Sequence, residues 1–288
     1  METCYRHPDR QTGVSCSNCG RAICPDCMTS TSVGMRCPEC SRERTRVTNP
    51  VGAPGGRDAP ATYALIAICV AAFAAEVAGG ANLLTGSPIG PVGREGGLFA
   101  FALDRGEPIG VAEGEPYRLL SAAFLHGGLL HLGLNMFALY FLGSLLEPAI
   151  GSARFVAIFL ISALGGSFGA LLLDPLQLTV GASGGIFGLM AAAFLSARGR
   201  GLDALASQIG FFVIANLVFT FSIPNISIGG HLGGLAAGGL AALLVLGLER
   251  RRVPNARLVE IGGLAALAIV ATAAALAAAE AGVPAGLG

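Results

Sequence analysis

Ser183 stands between glycines in the stretch Gly181-Ala182-Ser183-Gly184-Gly185, which opens the apolar run from Ile186 to Leu195. Glycine on both sides lets another backbone approach the hydroxyl. The residues just after Ser183 offer helix N-terminal N–H groups, without intrahelical partners, to a developing negative charge. That is the local arrangement of a nucleophile, yet the same pattern is ordinary helix-packing material in membranes, so the serine carries an argument only through its company. His231 supplies an imidazole at the head of a second glycine-rich run, and His126, His131 and Asn135 add polar groups, the last two at i and i+4 on one helical face. A serine beside a neutral imidazole is the minimum acyl-transfer pair: His231 would take the hydroxyl proton and return it to the leaving amine. The Asn135 amide, an N–H of His131 and the Ser183 N–H are the candidate donors to an oxyanion. No Asp or Glu is placed to serve as a third member.

These groups need elements to hold them. The 288 residues are 53% hydrophobic and only 12% charged, a balance foreign to soluble domains. Several apolar runs reach the roughly 17 to 25 residues that cross a bilayer. Spans are expected at 62–78, 128–146, 155–173, 182–197, 205–222, 228–248 and 258–279, which is seven. The chain has zero formal net charge, with arginine and no lysine as its strong cations, so it has no basic field for nucleic acid. Heavy Ala, Gly and Arg usage suggests a GC-rich bacterial genome. The first apolar run lies behind a Cys-rich polar segment, unlike a cleavable signal peptide. Within the spans, Cys69 reads as a small buried hydrophobe, Glu76 as an interfacial group and Asn216 as an interhelical hydrogen bond. The apolar piece 97–103 is too short to span and reads as an interfacial element or a plug against the bundle.

Arginine placement sets the orientation. With the N-terminus inside, the inner connections hold Arg154, Arg198, Arg200, Arg250, Arg251, Arg252 and Arg257, and the outer ones only Arg94, Arg105 and Arg118. Ser183, His231, His126, His131 and Asn135 then share one depth near the outer face. Gly230, Gly234 and Gly238 form a small-residue stripe below His231, and Gly184 with Gly188 another below Ser183; packed together, they would bring hydroxyl and imidazole within hydrogen-bond distance. A membrane metal site built from the three histidines and Asn135 is the competing chemistry. It lacks a carboxylate or thiol at that depth.

Arg118, His126-x4-His131-x3-Asn135, Glu147-x3-Gly151, Gly181-Ala182-Ser183-Gly184 and His231-Leu232-Gly233-Gly234 together resemble the rhomboid family of intramembrane serine proteases, over residues 61–248. The resemblance implies a six-helix core with Ser183 as nucleophile, His231 as general base, and His131 and Asn135 at the oxyanion. It gives His126 a supporting role in the loop above, Gly181 and Gly184 a place in the nucleophile motif, and Arg118 and Glu147 structural positions. It implies no catalytic cofactor. Its substrates would be membrane-anchored proteins, cut in a readily unwound transmembrane segment. The chain departs from the family pattern at Tyr117-Arg118, where Trp-Arg is frequent, and at Phe187, where Tyr is common; one turn after the serine, the Phe187 ring could pack on His231. The final span resembles the additional seventh helix of some members.

Residues 1–42 carry a different chemistry. Cys4-x2-His7, Cys16-x2-Cys19, Cys24-x2-Cys27 and Cys37-x2-Cys40 are four two-ligand knuckles, eight ligands in all, enough for two tetrahedral zinc sites. A disulfide framework would leave His7 without a role and one of seven cysteines unpaired. So short and polar a segment folds poorly without metal. Spacing alone does not say which knuckles share an ion. The order resembles B-box-type zinc fingers, which implies that knuckles one and three share one ion and two and four the other, and that the module binds a protein partner in the cytoplasm.

The expected architecture is an all-α polytopic membrane protein: a two-zinc module (1–42), a flexible juxtamembrane linker (43–60), a six-helix rhomboid-like core (61–248), then an Arg-rich loop, seventh helix and tail (249–288). The lipid bilayer and transmembrane proteins are the expected partners. The expected setting is a bacterial cell membrane, with the N-terminus cytoplasmic and the site opening to the extracytoplasmic side. A noncatalytic scaffold recruiting partners through the zinc module is the alternative, and it gives Ser183 and His231 no reason.

Overall fold

A computed structural model describes residues 2–31, 34–42, 59–85, 90–223, 226–251 and 254–284. The expected linker falls almost wholly outside them. The chain divides into two compact units, Met1–Asn49 and Pro50–Gly288.

The first unit has two small antiparallel hairpins, β1 (Glu2–Thr3) with β2 (Gln11–Thr12) and β3 (Thr29–Thr31) with β4 (Gly34–Arg36), followed by the short helix α1 (Pro38–Arg42). Its core is Ile23 and six of its cysteines, with Tyr5 and Met28 packed against them. A centre made largely of sulfur is too small to hold a chain by apolar burial alone.

The second unit is a helix bundle. Its long helices are α2 (Pro60–Ala78), α5 (Leu129–Ile150), α6 (Ser152–Leu173), α7 (Ser183–Gly199), α8 (Asp203–Ser222), α9 (Ile228–Arg251) and α10 (Ala256–Ala281); the short α3 (Pro91–Gly96), the hairpin β5 (Ala102–Asp104) with β6 (Glu107–Ile109), and α4 (Arg118–Ser121) lie between α2 and α5. Among the described residues six helices are long and apolar enough to cross a membrane; α7, with 17 residues, is the shorter seventh. At 1.5 Å per residue it is about 25 Å long. It is also buried along most of its length, enclosed by α5, α6, α8 and α9. The remaining core is aliphatic and aromatic, with Leu139, Leu146, Phe155, Phe159 and Leu189 fully buried.

Glycine decides how the helices pack. A Cβ on Gly234 would stand 2.2 Å from the Gly184 carbonyl oxygen, and one on Gly238 would stand 2.3 Å from Gly188 Cα. The two stripes expected to meet therefore do. A second seam was not anticipated: Gly229 and Gly233 on the next face of α9 meet Gly169 and Gly165 of α6 equally closely, with added Cβ atoms 1.9 and 2.1 Å from the carbonyl oxygens of Gly169 and Gly165. Helix α9 is thus wedged between α6 and α7 at backbone contact, the geometry small residues permit in membranes.

Residues 97–103 form part of a folded loop. Leu98, Phe99, Ala100 and Phe101 are buried, and Leu98 pairs with Thr179 of the segment leading into α7. Arg118 fastens this loop. It is 1% exposed, its guanidinium donates to the carbonyls of Arg94 and Gly97 at 2.7 and 2.8 Å, it pairs with Glu115, and it lies over the Phe99 ring. Arg118 is thus spent inside the fold, in a structural position. On the other side of the loop, Ala275, Ala278 and Ala279 of α10 share a buried cluster with Leu98, Ala100 and Val111. Near the start of α10, Glu260 takes a bidentate hydrogen bond from Arg154 of α6.

Glu147 lies at the far end of α5 from His131. It is 1% exposed and accepts hydrogen bonds from the N–H groups of Ala61 and Thr62, from the Thr62 hydroxyl and from the Ser152 hydroxyl, at 2.6 to 2.9 Å. A carboxylate is thereby fixed on the N-terminus of α2, where the helix dipole and its free N–H groups favour negative charge.

Candidate active site

Ser183 is the first residue of α7, and the first hydrogen bond closing that helix runs from Ile186 N–H to Ala182 C=O. The N–H groups of Ser183, Gly184 and Gly185 therefore have no carbonyl one turn back. Ala122 C=O accepts from Gly181 N–H and anchors the approach. Gly181 itself has φ +132°, and a Cβ there would stand 2.8 Å from Cε1 and Nε2 of His131. Both the backbone conformation and the approach of the ring demand glycine at this position.

His231 is the fourth residue of α9, and its Nε2 lies 2.9 Å from Ser183 Oγ. Close packing of Gly234 on Gly184 permits that distance, because no side chain holds the two helix starts apart. Phe187 stacks on the imidazole with centroids 4.3 Å apart and planes at 23°, the contact its spacing from Ser183 allows. On the far side of the ring, Thr220 Oγ1 lies 2.6 Å from Nδ1. Sequence reading missed Thr220: it is eleven residues upstream on α8, and no local pattern ties it to His231.

His131 is the third residue of α5. Its Nδ1 accepts the Gly127 N–H at 3.3 Å, which assigns the proton of the neutral ring to Nε2, the atom beside Gly181. Asn135 is buried and gives one amide hydrogen to the His131 carbonyl at 2.9 Å, leaving the second. His126 is 1% exposed, donates from Nδ1 to the Phe124 carbonyl at 3.2 Å and stacks edge-on with His131 at 5.3 Å. Its Nε2 is buried without a hydrogen-bond partner among the described residues. The His126 N–H donates to Glu76 Oε2 at 3.1 Å. Glu76 is 6% exposed and tethers the turn before α5 to the end of α2. Asn216 departs from expectation, because its amide donates to Phe212 C=O within α8 and, among the described residues, makes no interhelical bond.

A cavity of about 620 Å³ opens onto these groups; Ser183, His231, His131 and Asn135 line it, with Met190 and Leu134 among its apolar walls. The four polar side chains thus converge on a space large enough for an extended peptide segment. Arg118 and Glu147 lie away from it, in the loop and at the other end of α5.

In the N-terminal unit, Cys4, His7, Cys24 and Cys27 form one cluster and Cys16, Cys19, Cys37 and Cys40 a second, the ligand atoms of each lying within 4.8 Å of one another. Knuckles one and three come together, as do two and four. Cys19 Sγ and Cys37 Sγ are 3.8 Å apart, far beyond disulfide bonding. That separation is the edge of a tetrahedron whose vertices lie about 2.3 Å from a central ion, the usual Zn–S distance. Both donor sets fit a metal ion of zinc's size and softness.

The Rhomboid domain family model matches residues 113–248. The chain is 38% identical over 162 residues to Rhomboid protease GluP of Bacillus subtilis (strain 168), a match covering 55% of this chain and 32% of that protein. RHOMBOID-like protein 5 of Arabidopsis thaliana is 37% identical over 144 residues, 47% of this chain and 46% of that protein. Putative rhomboid protease YdcA of Bacillus subtilis (strain 168) is 33% identical over 152 residues, 51% of this chain and 76% of that protein. The match thus spans a third of the first of these, under half of the second and about three quarters of the third.

Proposed function

The chain belongs to the rhomboid family, and on that premise we propose that it is an intramembrane serine endopeptidase, cutting transmembrane segments of membrane-anchored proteins with Ser183 and His231. The observation that carries the reading is the 2.9 Å contact between Ser183 Oγ and His231 Nε2 on the wall of the cavity. Ser183 Oγ attacks the scissile carbonyl while Nε2 takes its proton, and the new C–O bond leaves a tetrahedral oxyanion. Within the site, the Ser183 N–H, the Nε2–H of His131 and the remaining amide hydrogen of Asn135 are the donors that would receive that charge. Collapse breaks the C–N bond, the imidazolium returns its proton to the leaving amine, and an ester remains on Ser183. Water deprotonated by His231 then hydrolyses the ester and restores the hydroxyl. Phe187 supports the plane of the imidazole throughout, and His126 braces the turn that carries His131.

A fluorophosphonate or isocoumarin probe tests this directly. Wild-type protein is expected to label and to cleave a model single-span substrate, and Ser183→Ala and His231→Ala each to do neither while keeping their fold. Undiminished cleavage by Ser183→Ala overturns the assignment.

The proposal extends to the N-terminal unit, where each Cys/His set holds one structural zinc ion and supplies nothing to the peptide-bond chemistry. The cytoplasmic placement of that unit follows from the arginine distribution, and its service as a docking module for a protein partner rests on the B-box resemblance alone. A bacterial cell membrane, with the cavity opening to the extracytoplasmic face, belongs to the same reading.

A further inference from the structure

We propose that Thr220 is a positioning residue of this site, holding the imidazole of His231 in the tautomer that can accept the Ser183 proton. The inference rests on the assignment of Ser183 and His231 as the reacting pair. Thr220 Oγ1 has two polar neighbours: the Asn216 carbonyl oxygen at 2.8 Å and His231 Nδ1 at 2.6 Å. A carbonyl can only accept, and a hydroxyl has one proton to give. With that proton on the Asn216 carbonyl, Oγ1 faces Nδ1 with its lone pairs, and Nδ1 must carry the ring's hydrogen. Nε2 is then bare and directed at Ser183 Oγ. The polar chain runs in one sense: Ser183 O–H to Nε2, Nδ1–H to Thr220 Oγ1, and Thr220 O–H to the Asn216 carbonyl. When the imidazolium forms, Nδ1–H keeps its acceptor, so the charged ring does not have to seek water inside the bundle.

Threonine and serine often bond back to their own helix, and Ser144, Ser222 and Thr272 do so in this chain with a single partner each. Thr220 differs by its second partner. It is one of three buried residues of α8, with Ala206 and Ile209, and it is 2% exposed. Among the described residues no carboxylate is bonded to Nδ1, so the orienting task performed elsewhere by an acid falls here to a neutral hydroxyl.

The test uses full-length protein in detergent with a single-span substrate whose cleavage depends on Ser183. Thr220→Val keeps the shape and removes the hydroxyl; it is expected to lower kcat about tenfold or more with KM within about twofold, as loss of correct proton placement does. Thr220→Ser restores the hydroxyl without the methyl group and is expected to stay within about threefold of wild type. Should Thr220→Val fail to fold, Thr220→Ala takes its place with the same expected fall in kcat. A hydroxyl-free variant that turns over at the wild-type rate overturns the inference, as does a Thr220→Ser protein as slow as Thr220→Val, which would make the methyl packing the cause. A wild-type protein that neither labels nor cleaves would remove the reacting pair itself and the inference with it, a result distinct from an active wild type with an equally active Thr220→Val.

Discussion

Gly234 and Gly184 touch backbone to backbone, and the carbonyl oxygen of Gly184 occupies the place a Gly234 side chain would need. The distance from Ser183 to His231 depends on that contact, because Gly184 directly follows Ser183 on α7 and Gly234 lies one turn below His231 on α9.

Replacing Gly234 by alanine would push α9 away from α7. Overpacking of this kind costs about 1–3 kcal/mol, and the displaced imidazole should lower the rate of fluorophosphonate labelling along with the unfolding temperature in detergent. Gly239, where an added Cβ would meet Ala191 at 3.8 Å, an ordinary contact, provides the comparison on the same helix. Gly239→Ala should unfold at the wild-type temperature.

Glu147 predicts a different kind of loss. Its removal as Glu147→Ala would leave the Ala61 and Thr62 N–H groups and two hydroxyls without their common acceptor. At about 1–3 kcal/mol for a buried polar group left unsatisfied, the destabilisation should be at least about 2 kcal/mol. Glu147→Gln, which still offers one oxygen, should fall between. Unfolding in mixed detergent micelles measures both.

The clamp on the first loop should be pH-dependent. Partial burial works to raise the Glu115 carboxyl pKa, but hydrogen bonds from the Arg118 guanidinium and the Gly110 N–H outweigh it and hold the group below its ordinary value. A depressed folded-state pKa means the stabilisation is fully present above the unfolded value of about 4.3. It is lost as the pH falls through the lower, folded value. Amide exchange in residues 94–101 should accelerate on acidification below pH 4, and Glu115→Gln should show the faster exchange already at neutral pH. An unchanged exchange rate in Glu115→Gln would remove this carboxylate from the clamp.

Chelation addresses the N-terminal unit. Two zinc ions per chain should be released as the chelator rises, with loss of the ordered hairpins, since Ile23 and a cluster of sulfurs cannot sustain a core. Cys24→Ser should release one ion and retain the other. Chelated protein should still cleave its substrate in detergent, because the proposed chemistry at Ser183 uses no metal.

Much of this was legible in the sequence, for identifiable reasons. Glycine stripes at four-residue spacing say which helix faces can approach, so the meeting of Gly234 with Gly184 could be anticipated. The knuckle spacing gave eight ligands but not their pairing, which the B-box resemblance implied and three-dimensional proximity shows as two sets. Contacts that depend on a chance rotation between distant elements stayed hidden. Thr220 is unremarkable on its own helix, and Asn216 looked like a bridge because an amide in an apolar helix invites that reading. In each case the missing information was the angular position of one helix about its axis, which a nearly uniform apolar sequence does not encode. Gly229 and Gly233 escaped for the opposite reason, because α9 is glycine-rich on two faces and only one was read.

The last helix, plain in composition, changes what the shortest working form of this protein can be. Ala275, Ala278 and Ala279 roof the same pocket of side chains that Leu98, Ala100 and Val111 fill from the loop, while Glu260 answers Arg154 at the other end. A chain ended after residue 248 would retain every group named in the chemistry. It would nonetheless bare a strip of α6 and the underside of the loop that Arg118 fastens, and an intact set of reacting atoms would rest on a foundation with one wall removed.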